Sequence, residues 1–525
     1  MIDWKTLAAA GFAAYFLSAM ANLAEAAEAQ ANFREHCAAC HGADRLGGIG
    51  PALLPENLAR LRKAEAEKVV REGRPATQMP AFGQKLAAED IKALVEYAYM
   101  PIKPMPAWGE AEIKGSRVVH HPAGSLPDRP AFAADPMNLF VVVESGDHHV
   151  SVLDGDKLEP IHRFQSRFAL HGGPKFTPDG RYVFFASRDG WITKFDLWNL
   201  KVVAEVRAGI NTRNAAVSGD GKWVAVANYL PHSLVILDAE LNLKKILPVT
   251  DKEGRGSSRV SAVYDASPRQ SFVAALKDVK EVWEVSYNPK APDVPIGVIH
   301  DFKYKEGAFV EGFLNPQRTF LDDYLDDFYF TQGYDEVMGA SRNDAKAAVT
   351  GQVVNLDARR KIADLELPGM PHLGSGISWK WEGRTVMATP NLNEGVISII
   401  DMATWKTIKQ IKTRGPGFFM RSHENSRYAW TDSMMSREFK DTMQIIDKDK
   451  LEIVAELKPE PGKTFAHVEF TKDGKYVLAS LWEDDGALII YDAATLKEVK
   501  RLPMKKPVGK YNVWNKITKS EGTSH

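Results

Sequence analysis

The 525-residue sequence predicts a small α-helical domain followed by an all-β domain, a propeller of eight blades. The helical domain is indicated by a compact motif that uses both cysteines of the chain and is followed by a helical pattern. The propeller is indicated by a unit that recurs mostly at intervals of about 42–46 residues, the length of a four-stranded blade. An apolar content of 44% is sufficient for a large buried core.

The cysteine motif is Cys37-Ala38-Ala39-Cys40-His41. This Cys-x-x-Cys-His pattern is typical of a covalently attached c-type haem, with both thiols bonded to the porphyrin and the imidazole on the iron. A local disulfide, a redox Cys-x-x-Cys pair and half of a zinc site are the alternatives. Zinc would normally need a second ligand pair, and a thioredoxin-like motif would need a βαβ context; the sequence shows neither.

The second axial ligand of this haem is predicted to be Met79, in the turn-rich segment Gln78–Gly83. A methionine opposite a histidine is the usual arrangement in electron-transfer cytochromes and raises the reduction potential. The alternative is that Met79 fills a gap in the core and that Met100 or Met105 is the ligand. With the helical pattern that follows, the motif predicts a class I cytochrome c domain over residues 30–105.

The first 26 residues are predicted to be a secretory signal peptide, with Lys5, an apolar run over residues 7–20 and an Ala-rich cleavage region. An uncleaved membrane anchor is the alternative, although the run is short for a span. Covalent haem c in bacteria is assembled outside the cytoplasm, which agrees with export, so we expect a periplasmic protein. No later segment is long and apolar enough to cross a bilayer, so we expect no stable span after removal of the signal. Lys and Arg total 67 against 68 acidic residues, which gives no sign of nucleic-acid or membrane binding.

A linker is predicted over residues 106–137, between the cytochrome c domain and a propeller over residues 138–525. Seven prolines occur between residues 101 and 137, and we expect them to prevent regular structure there. They are Pro101, Pro104, Pro106, Pro122, Pro127, Pro130 and Pro136.

The repeating unit has an Asp-Gly turn, an apolar strand, a polar loop and a second strand that ends on an acidic residue. Residues 177–196, 218–238 and 471–492 are three copies. The terminal acidic residues are Asp154, Asp196, Asp238, Glu284, Asp357, Asp401, Asp447 and Asp492. They predict eight blades around a central funnel where loops from every blade converge. The longest interval holds an insertion, whose acidic run 321–327 we expect to be a solvated loop rather than a metal site.

Five further segments are distinctive: residues 138–143, Phe168-Ala169-Leu170-His171, Ser187-Arg188-Asp189 with Asp196-Leu197-Trp198, Pro371-His372-Leu373-Gly374-Ser375-Gly376 and Gly509-Lys510-Tyr511-Asn512-Val513-Trp514-Asn515. In these segments the chain resembles the cytochrome cd1 family, and the resemblance covers nearly everything after the signal. It implies that the funnel holds non-covalent haem d1, with His171 as the proximal iron ligand. It also implies that Arg188 and Arg213 face the acidic substituents of the ring.

The family has two main branches that combine haem c with haem d1. The nitrite reductases of this family use two distal histidines to bind nitrite and donate protons. His372 matches one of them, although the arginine of the reductase loop is replaced here by Ser375. No histidine occurs between His300 and His372, so the second proton donor of a nitrite reductase is missing.

A different histidine, His467, precedes the last blade at a position equivalent to that of His171 ahead of its own blade. We expect His467 to coordinate the distal face of the iron. An iron with two histidine ligands has no open position for nitrite. The pattern resembles the second branch, dehydrogenases that complete haem d1 synthesis by oxidising a ring propionate of dihydro-haem d1 to an acrylate.

This oxidation removes two electrons and two protons. Haem c accepts one electron at a time and would pass it to a soluble acceptor such as a small cytochrome or a cupredoxin. Arg188, Arg213 and Arg421 are candidates for bidentate pairs with ring carboxylates. His372 is the candidate base, because imidazole titrates near neutral pH. His372 and His467 are therefore the expected catalytic residues.

Two alternative functions remain from the sequence: a nitrite reductase with altered distal chemistry, and a carrier that delivers haem d1. Transport requires no electron acceptor, so the haem c motif argues against a pure carrier. Nitrite reductase is a further expected partner, as the recipient of finished haem d1.

Overall fold

The computed structural model describes residues 26–519 except 49, 59–60, 74–78, 105, 302 and 342–349. The chain divides after Ala107 into two compact units. The predicted signal peptide lies outside the described residues apart from Ala26. Among the described residues, no helix has both the length and the apolar character that a membrane crossing requires.

The first unit is helical, as predicted. Helix α1 (residues 26–36) is followed by α2 (Ala38–His41), α3 (Pro55–Leu58), α4 (Lys63–Glu72) and α5 (Ala88–Ala98). Helix α5 buries Ile91, Leu94 and Val95, and the Phe33 and Tyr97 ring centroids are 5.4 Å apart. The helical pattern expected around residues 91–98 is therefore confirmed.

The segment expected to be an irregular linker contains regular structure. Helix α6 (Glu110–Ser116) and strand β1 (Val118–Val119) lie on the second unit, where β1 pairs with an outer strand at Val118↔Glu205. The expectation was wrong because the seven prolines flank residues 107–121 and none lies inside that stretch. The segment around Ile113, which is fully buried, could therefore form a helix.

The second unit is an eight-bladed propeller, which confirms the predicted architecture. In the described residues, seven blades are continuous in sequence and antiparallel throughout. From the inner to the outer strand, the first three of these blades are β5 (Lys175–Phe176), β6 (Tyr182–Ala186), β7 (Trp191–Asp196), β8 (Lys201–Arg207); β9 (Asn211–Val217), β10 (Trp223–Leu230), β11 (Ser233–Asp238), β12 (Leu243–Pro248); and β13 (Val260–Ala266), β14 (Ser271–Leu276), β15 (Glu281–Ser286), β18 (Pro316–Phe320). The next two, in the same order, are β19 (Leu325–Phe330), β20 (Glu336–Ser341), β21 (Gly351–Asn355), β22 (Arg360–Leu365); and β23 (Ile377–Trp381), β24 (Arg384–Thr389), β25 (Val396–Asp401), β26 (Thr407–Lys412). The last two are β27 (Met420–Arg421), β28 (Tyr428–Asp432), β29 (Met443–Asp447), β30 (Glu452–Leu457); and β31 (Phe465–Phe470), β32 (Tyr476–Leu481), β33 (Gly486–Asp492), β34 (Glu498–Met504).

The remaining blade joins the two ends of the propeller. Strand β35 (Pro507–Asn512) is the innermost strand beside β2 (Leu139–Glu144), β3 (His149–Asp154) and β4 (Glu159–Gln165). The pairing Val141↔Tyr511 is antiparallel, and helix α7 (Val513–Thr518) follows β35. The ring is closed by hydrogen bonds between the last strand and the first, which hold the two ends of the propeller together in one sheet.

Apolar side chains of neighbouring blades form the core. One cluster packs β10 and β11 against β13–β15, and another packs Phe184 and Val206 against Val224 and Leu237 of the next blade. The outermost strands alternate exposed and half-buried residues, as in β30. Faces of adjacent sheets therefore supply the buried area, and the inner strands are left to line the funnel.

The strand-terminal acidic residues have a structural role in six blades. The carboxylates of Asp154, Asp196, Asp238, Asp401, Asp447 and Asp492 accept hydrogen bonds from backbone amides of the turn that follows. In one blade Asn355 has this role, and Asp357 lies in its turn as an amide donor. Glu284 instead pairs with Arg269 at 2.7 Å. The period was predicted correctly, but these two positions depart from the common turn.

The insertion in the longest interval is a β-hairpin formed by β16 (Val294–Asp301) and β17 (Glu306–Val310), which pair only with each other. The acidic run 321–327 lies beyond this hairpin and leads into β19. Its side chains differ in exposure: Asp322 is 81% exposed, whereas Asp327 is 15% exposed. The expectation of a solvated loop therefore holds for the start of the run and is wrong for its end.

Candidate functional site

Cys37 and Cys40 are arranged for the attachment of haem c. Cys37 caps α2, Cys40 lies within it, and neither thiol forms a disulfide. Burial, followed by the nearby Cys40, raises the pKa of Cys37 to about 11. Redox Cys-x-x-Cys pairs require the opposite shift. Among the described residues, no group of three His, Cys, Asp or Glu side chains is placed to hold a metal, so the zinc alternative also lacks support.

His41 has the geometry of an axial ligand. Its Nδ1–H donates to the carbonyl of Pro51 over 2.8 Å, which leaves Nε2 for the iron. A Cβ atom on Gly50 would lie 2.8 Å from Cε1 of this ring, so the Gly50-Pro51 backbone contacts the imidazole directly. Burial lowers the pKa of His41, which favours the neutral form that binds iron. The residues present therefore fit a c-type haem.

Met79 is half-buried and begins the described segment after α4. Gly73, with φ +72°, ends that helix, and a Cβ there would lie 2.9 Å from the Met79 carbonyl oxygen. The amide of Phe82 then donates to Val70 over 3.0 Å. The methionine segment is thus packed on the end of α4. Met100 is 49% exposed and Met105 lies outside the described residues, so Met79 as the ligand stays a prediction.

His171 lies in the loop before β5, beside the inner end of that strand. Its Nδ1–H donates to the backbone carbonyl of Arg213 in β9 over 2.8 Å. Its Nε2 accepts a hydrogen bond of 2.9 Å from Arg188 Nη2. The first bond fixes the tautomer that an iron-binding imidazole needs. The second places the Arg188 guanidinium at the nitrogen that would face a ring.

His372 lies in the loop between β22 and β23. Its Nδ1–H donates to the carbonyl of Phe418 over 2.9 Å, and the two ring centroids are 4.1 Å apart. Burial lowers the pKa of His372, while the nearby Asp327 carboxylate acts in the opposite direction. His372 therefore has the same backbone-anchored Nδ1 as His171 and presents Nε2 away from its anchor.

His467 lies on the inner strand β31, at a bulge between Ala466 and Val468 that gives it φ +51°. It is 2% exposed, with its ring 4.6 Å from the Phe419 ring and 5.5 Å from the Tyr511 ring. Its Nδ1 has no hydrogen-bond partner among the described residues. Burial, with Lys510, Arg421 and Lys516 nearby, lowers its pKa well below the usual value. A neutral imidazole with an unused nitrogen suits a ligand or a proton acceptor.

Two sets of contacts connect the three histidines. Phe418 and Phe419, whose rings are 4.6 Å apart, link His372 to His467. On the other side, a Cβ on Gly173 would lie 3.1 Å from the Tyr511 ring, so the His171 loop reaches the aromatic neighbour of His467. The sequence-predicted histidines of the propeller thus surround one region at its centre.

The three predicted arginines differ in the hydrogen bonds and ion pairs that their guanidinium groups already form. Arg421 on β27 is 3% exposed; its Nη1 donates to the Met420 carbonyl over 2.7 Å, and its Nε has no hydrogen-bond partner among the described residues. Arg213 lies 3.8 Å from the Asp327 carboxylate, and Arg188 contacts His171. Arg421 is therefore the arginine with the clearest unused donor for a carboxylate.

Sequence reasoning missed several charged and phenolic groups of this region: Lys175, Tyr264, Asp326, Asp327, Lys510, Tyr511 and Lys516. Burial lowers the pKa of Lys175 to about 8 and raises that of Tyr511 to about 12. Burial also lowers the pKa of Lys510 and Lys516 well below the usual range. Several buried basic side chains in one region suit a ligand with several carboxylates, because the negative charge of the ligand would favour their protonated forms. For Lys510 and Tyr511 the signal was the distinctive segment 509–515, whose first residues belong to the strand that closes the ring.

Two family models match the chain. The Cytochrome D1 heme domain matches residues 134–311 and 298–516, and the model of the cbb3-type cytochrome c oxidase subunit III matches residues 24–97. The chain is 56% identical over 506 residues to the dihydro-heme d1 dehydrogenase of Pseudomonas aeruginosa, covering 96% of this chain and 97% of that protein. It is 26% identical over 542 residues to a nitrite reductase of Stutzerimonas stutzeri, covering 92% and 91%.

A solved structure is also similar. The dihydro-heme d1 dehydrogenase NirN in complex with DHE matches with a TM-score of 0.86 and 56% identity, covering 93% of this chain and 100% of that chain.

Proposed function

Because this chain belongs to the Cytochrome D1 heme domain family and also carries a cytochrome c domain, we propose that it is a dihydro-haem d1 dehydrogenase. It binds covalent haem c and non-covalent haem d1 or dihydro-haem d1, and it oxidises a ring propionate of dihydro-haem d1 to an acrylate. The observation that carries the proposal is His467, a buried neutral imidazole on an inner strand of the propeller. High identity to a dihydro-heme d1 dehydrogenase along nearly the whole chain supports it.

In the reaction the propionate loses one hydrogen from each of its two methylene carbons, and a C=C bond forms between them. Two electrons leave one at a time, and two protons pass to groups of the protein or to water. Haem c supplies a one-electron acceptor. Cys37 and Cys40 would hold it covalently, while His41 and Met79 would ligate its iron.

The cationic groups of the propeller bind and orient the substrate. Arg421, whose Nε has no hydrogen-bond partner among the described residues, would pair with a carboxylate. The ligand carboxylates would also favour the protonated forms of the buried Lys510 and Lys516. Arg188 would exchange its hydrogen bond with His171 for a ring carboxylate when that imidazole binds iron. Arg213 would act next to Asp327, so its charge is shared between that residue and the substrate.

His171 is the proposed proximal ligand, since its Nδ1–H is held by the Arg213 carbonyl. On the distal side, the predicted roles are His467 on the iron and His372 as the base. One observation favours exchanged roles. His372 donates Nδ1–H to a backbone carbonyl, which is typical of metal ligands, whereas Nδ1 of His467 has no hydrogen-bond partner within the described part of the chain. In the exchanged assignment His467, whose ring centroid lies 5.5 Å from that of Tyr511, takes the proton.

Nitrite reduction is the less favoured activity. The sequence has no histidine between His300 and His372, and His300 lies exposed on β16. One of the two distal histidines of a reductase therefore has no counterpart. A pure carrier is also less favoured, because a carrier has no use for the haem c motif. We further propose export to the periplasm through the N-terminal segment, a small cytochrome or cupredoxin as electron acceptor, and nitrite reductase as the recipient of the product.

The test is anaerobic incubation of purified protein with dihydro-haem d1 and a one-electron oxidant, with acrylate formation followed by absorption. We expect conversion by the wild type and by His300→Ala, the exposed control, and strong loss in His372→Ala and His467→Ala. The axial ligand is the histidine whose removal abolishes the low-spin spectrum of bound haem d1. An unchanged substrate spectrum with wild-type protein, or rapid nitric oxide formation from nitrite, would contradict the proposal.

A further inference from the structure

Asp327 occupies a bulged position at the start of β19. The register shifts between Leu325 and Phe328, so Asp326 and Asp327 together stand where the regular pairing is interrupted. The Asp327 side chain is 15% exposed, and its Oδ1 accepts a 2.9 Å hydrogen bond from the amide of Phe328. Bulges redirect side chains at the ends of strands, and here the redirected side chain is a carboxylate.

Three elements from different blades meet at this carboxylate. The Tyr264 hydroxyl of β13 donates to Oδ1 over 2.9 Å. Arg213 of β9 places Nη2 3.8 Å from Oδ2. Gly374, two residues after His372, lies so close that a Cβ on it would be 2.6 Å from Oδ2. The loop that carries His372 therefore rests directly on Asp327, with no room for a side chain between them.

The same arginine reaches His171 at two points: its carbonyl accepts the Nδ1–H of His171 over 2.8 Å, and its guanidinium Nη1 lies 3.1 Å from the same nitrogen. A continuous path thus runs from His171 to Arg213, to Asp327, to Gly374 and to His372. The backbone of β9 forms its first link, and the Asp327 carboxylate forms the connection to the His372 loop.

We propose that Asp327 is a positioning residue, which fixes the His372 loop against β9 and so sets the separation of His171 and His372 across the bound tetrapyrrole. The inference rests on the proposed function for the identity of that ligand. It assigns Asp327 no contact with substrate and no proton transfer. Its effect passes through the Gly374 backbone and the Arg213 guanidinium.

The test uses the full-length, haem c-loaded protein, with Asp327→Asn as the principal variant. Asparagine retains an oxygen for the Tyr264 hydroxyl but loses the charge that attracts Arg213. We expect conversion of saturating dihydro-haem d1 to fall by about 10- to 100-fold, since small misplacements of reacting groups have effects of that size. The absorption spectrum of bound haem d1 should also change, with an unchanged melting temperature of the unliganded protein. Asp322→Asn is the matched control, because that aspartate is 81% exposed.

A second set of variants tests the contact itself. Gly374→Ala should impair conversion through its clash with Asp327, and adding Asp327→Ala should restore part of the loss because the carboxylate is gone. Such non-additivity marks a direct contact. This set decides the question if Asp327→Asn fails to fold.

The inference is overturned if Asp327→Asn keeps the wild-type rate and spectrum, if Asp322→Asn shows the same loss, or if Gly374→Ala and Asp327→Ala are additive. Failure of the proposed function is a separate result. If wild-type protein binds haem d1 but converts no dihydro-haem d1, the spectra of bound haem d1 in wild type and Asp327→Asn still decide the positioning role.

Discussion

At the residue scale, the histidines are distinguished by the partner of Nδ1. His41, His171 and His372 each donate Nδ1–H to a backbone carbonyl, whereas Nδ1 of His467 is unpaired among the described residues. A carbonyl partner fixes both the tautomer and the ring orientation before iron binds. His467 is held instead by packing against Phe419 and Tyr511. The presence of histidine at these positions was therefore predictable from the sequence. Whether Nδ1 of each imidazole has a hydrogen-bond partner was not.

Asp326 provides a test of electrostatics at the same scale. Burial and the adjacent Asp327 raise its pKa from 3.8 to about 6. The folded state thus holds this proton more tightly than the unfolded state does, and the resulting stabilisation is present below pH 3.8 and lost as the pH rises through about 6.

We expect the free energy of unfolding of the wild type, relative to Asp326→Asn, to fall by about 3 kcal/mol over this interval, because one pKa unit corresponds to about 1.4 kcal/mol. Denaturant unfolding at several pH values measures the difference. A flat difference for Asp326→Asn would mean that its carboxyl titrates normally.

At the element scale, helix α6 and strand β1 show that a proline-rich stretch was misjudged. Ile113 is fully buried in the cluster between two blades, and the Trp108 indole donates to the Arg207 carbonyl over 2.8 Å. The strand adds a fifth member to its sheet at Val118↔Glu205. This segment is thus part of the propeller surface. Its regular structure is stabilised by the burial of apolar side chains in the stretch that contains no proline.

We expect Ile113→Ala to lower the free energy of unfolding of the propeller by about 3 kcal/mol, the usual cost of a buried isoleucine truncated to alanine. Val119→Ala, at a residue that is 42% exposed, should change it by less than about 0.5 kcal/mol. Denaturant titration followed by tryptophan fluorescence measures both. Equal effects of the two variants would show that α6 contributes no core packing.

At the scale of the whole molecule, ring closure depends on contacts between residues more than three hundred positions apart. The Asn512 side-chain amide donates to Asn138 Oδ1 over 2.9 Å, and its own Oδ1 accepts from the backbone amide of Asn515 in the first turn of the last helix. Asn512 and Asn515 are both fully buried. The closing strand also carries Lys510 and Tyr511, so closure and site assembly are coupled.

We expect Asn512→Ala to lower the free energy of unfolding by about 1–3 kcal/mol, because a buried polar partner is left unsatisfied. It should also weaken haem d1 binding, since β35 carries site residues. Asn425→Ala is the control, as Asn425 is exposed and has one side-chain hydrogen bond to the Asp473 carbonyl. Calorimetry and a haem d1 titration measure the two effects. Wild-type behaviour of Asn512→Ala would exclude a role of this bond in closure.

Local patterns along the chain predict the haem c motif, the repeat of eight blades and the histidine types, because each depends on neighbouring residues or on a regular spacing. Cys37, Cys40 and His41 are adjacent, and the turn-forming aspartates recur with the blade length. The tertiary structure alone decided which distant side chains meet. It placed Asp327 against Gly374 and Arg213, and it brought Lys510 and Tyr511 beside His467. These contacts arise from ring closure and from strand bulges, which bring together residues with no relation in spacing along the chain.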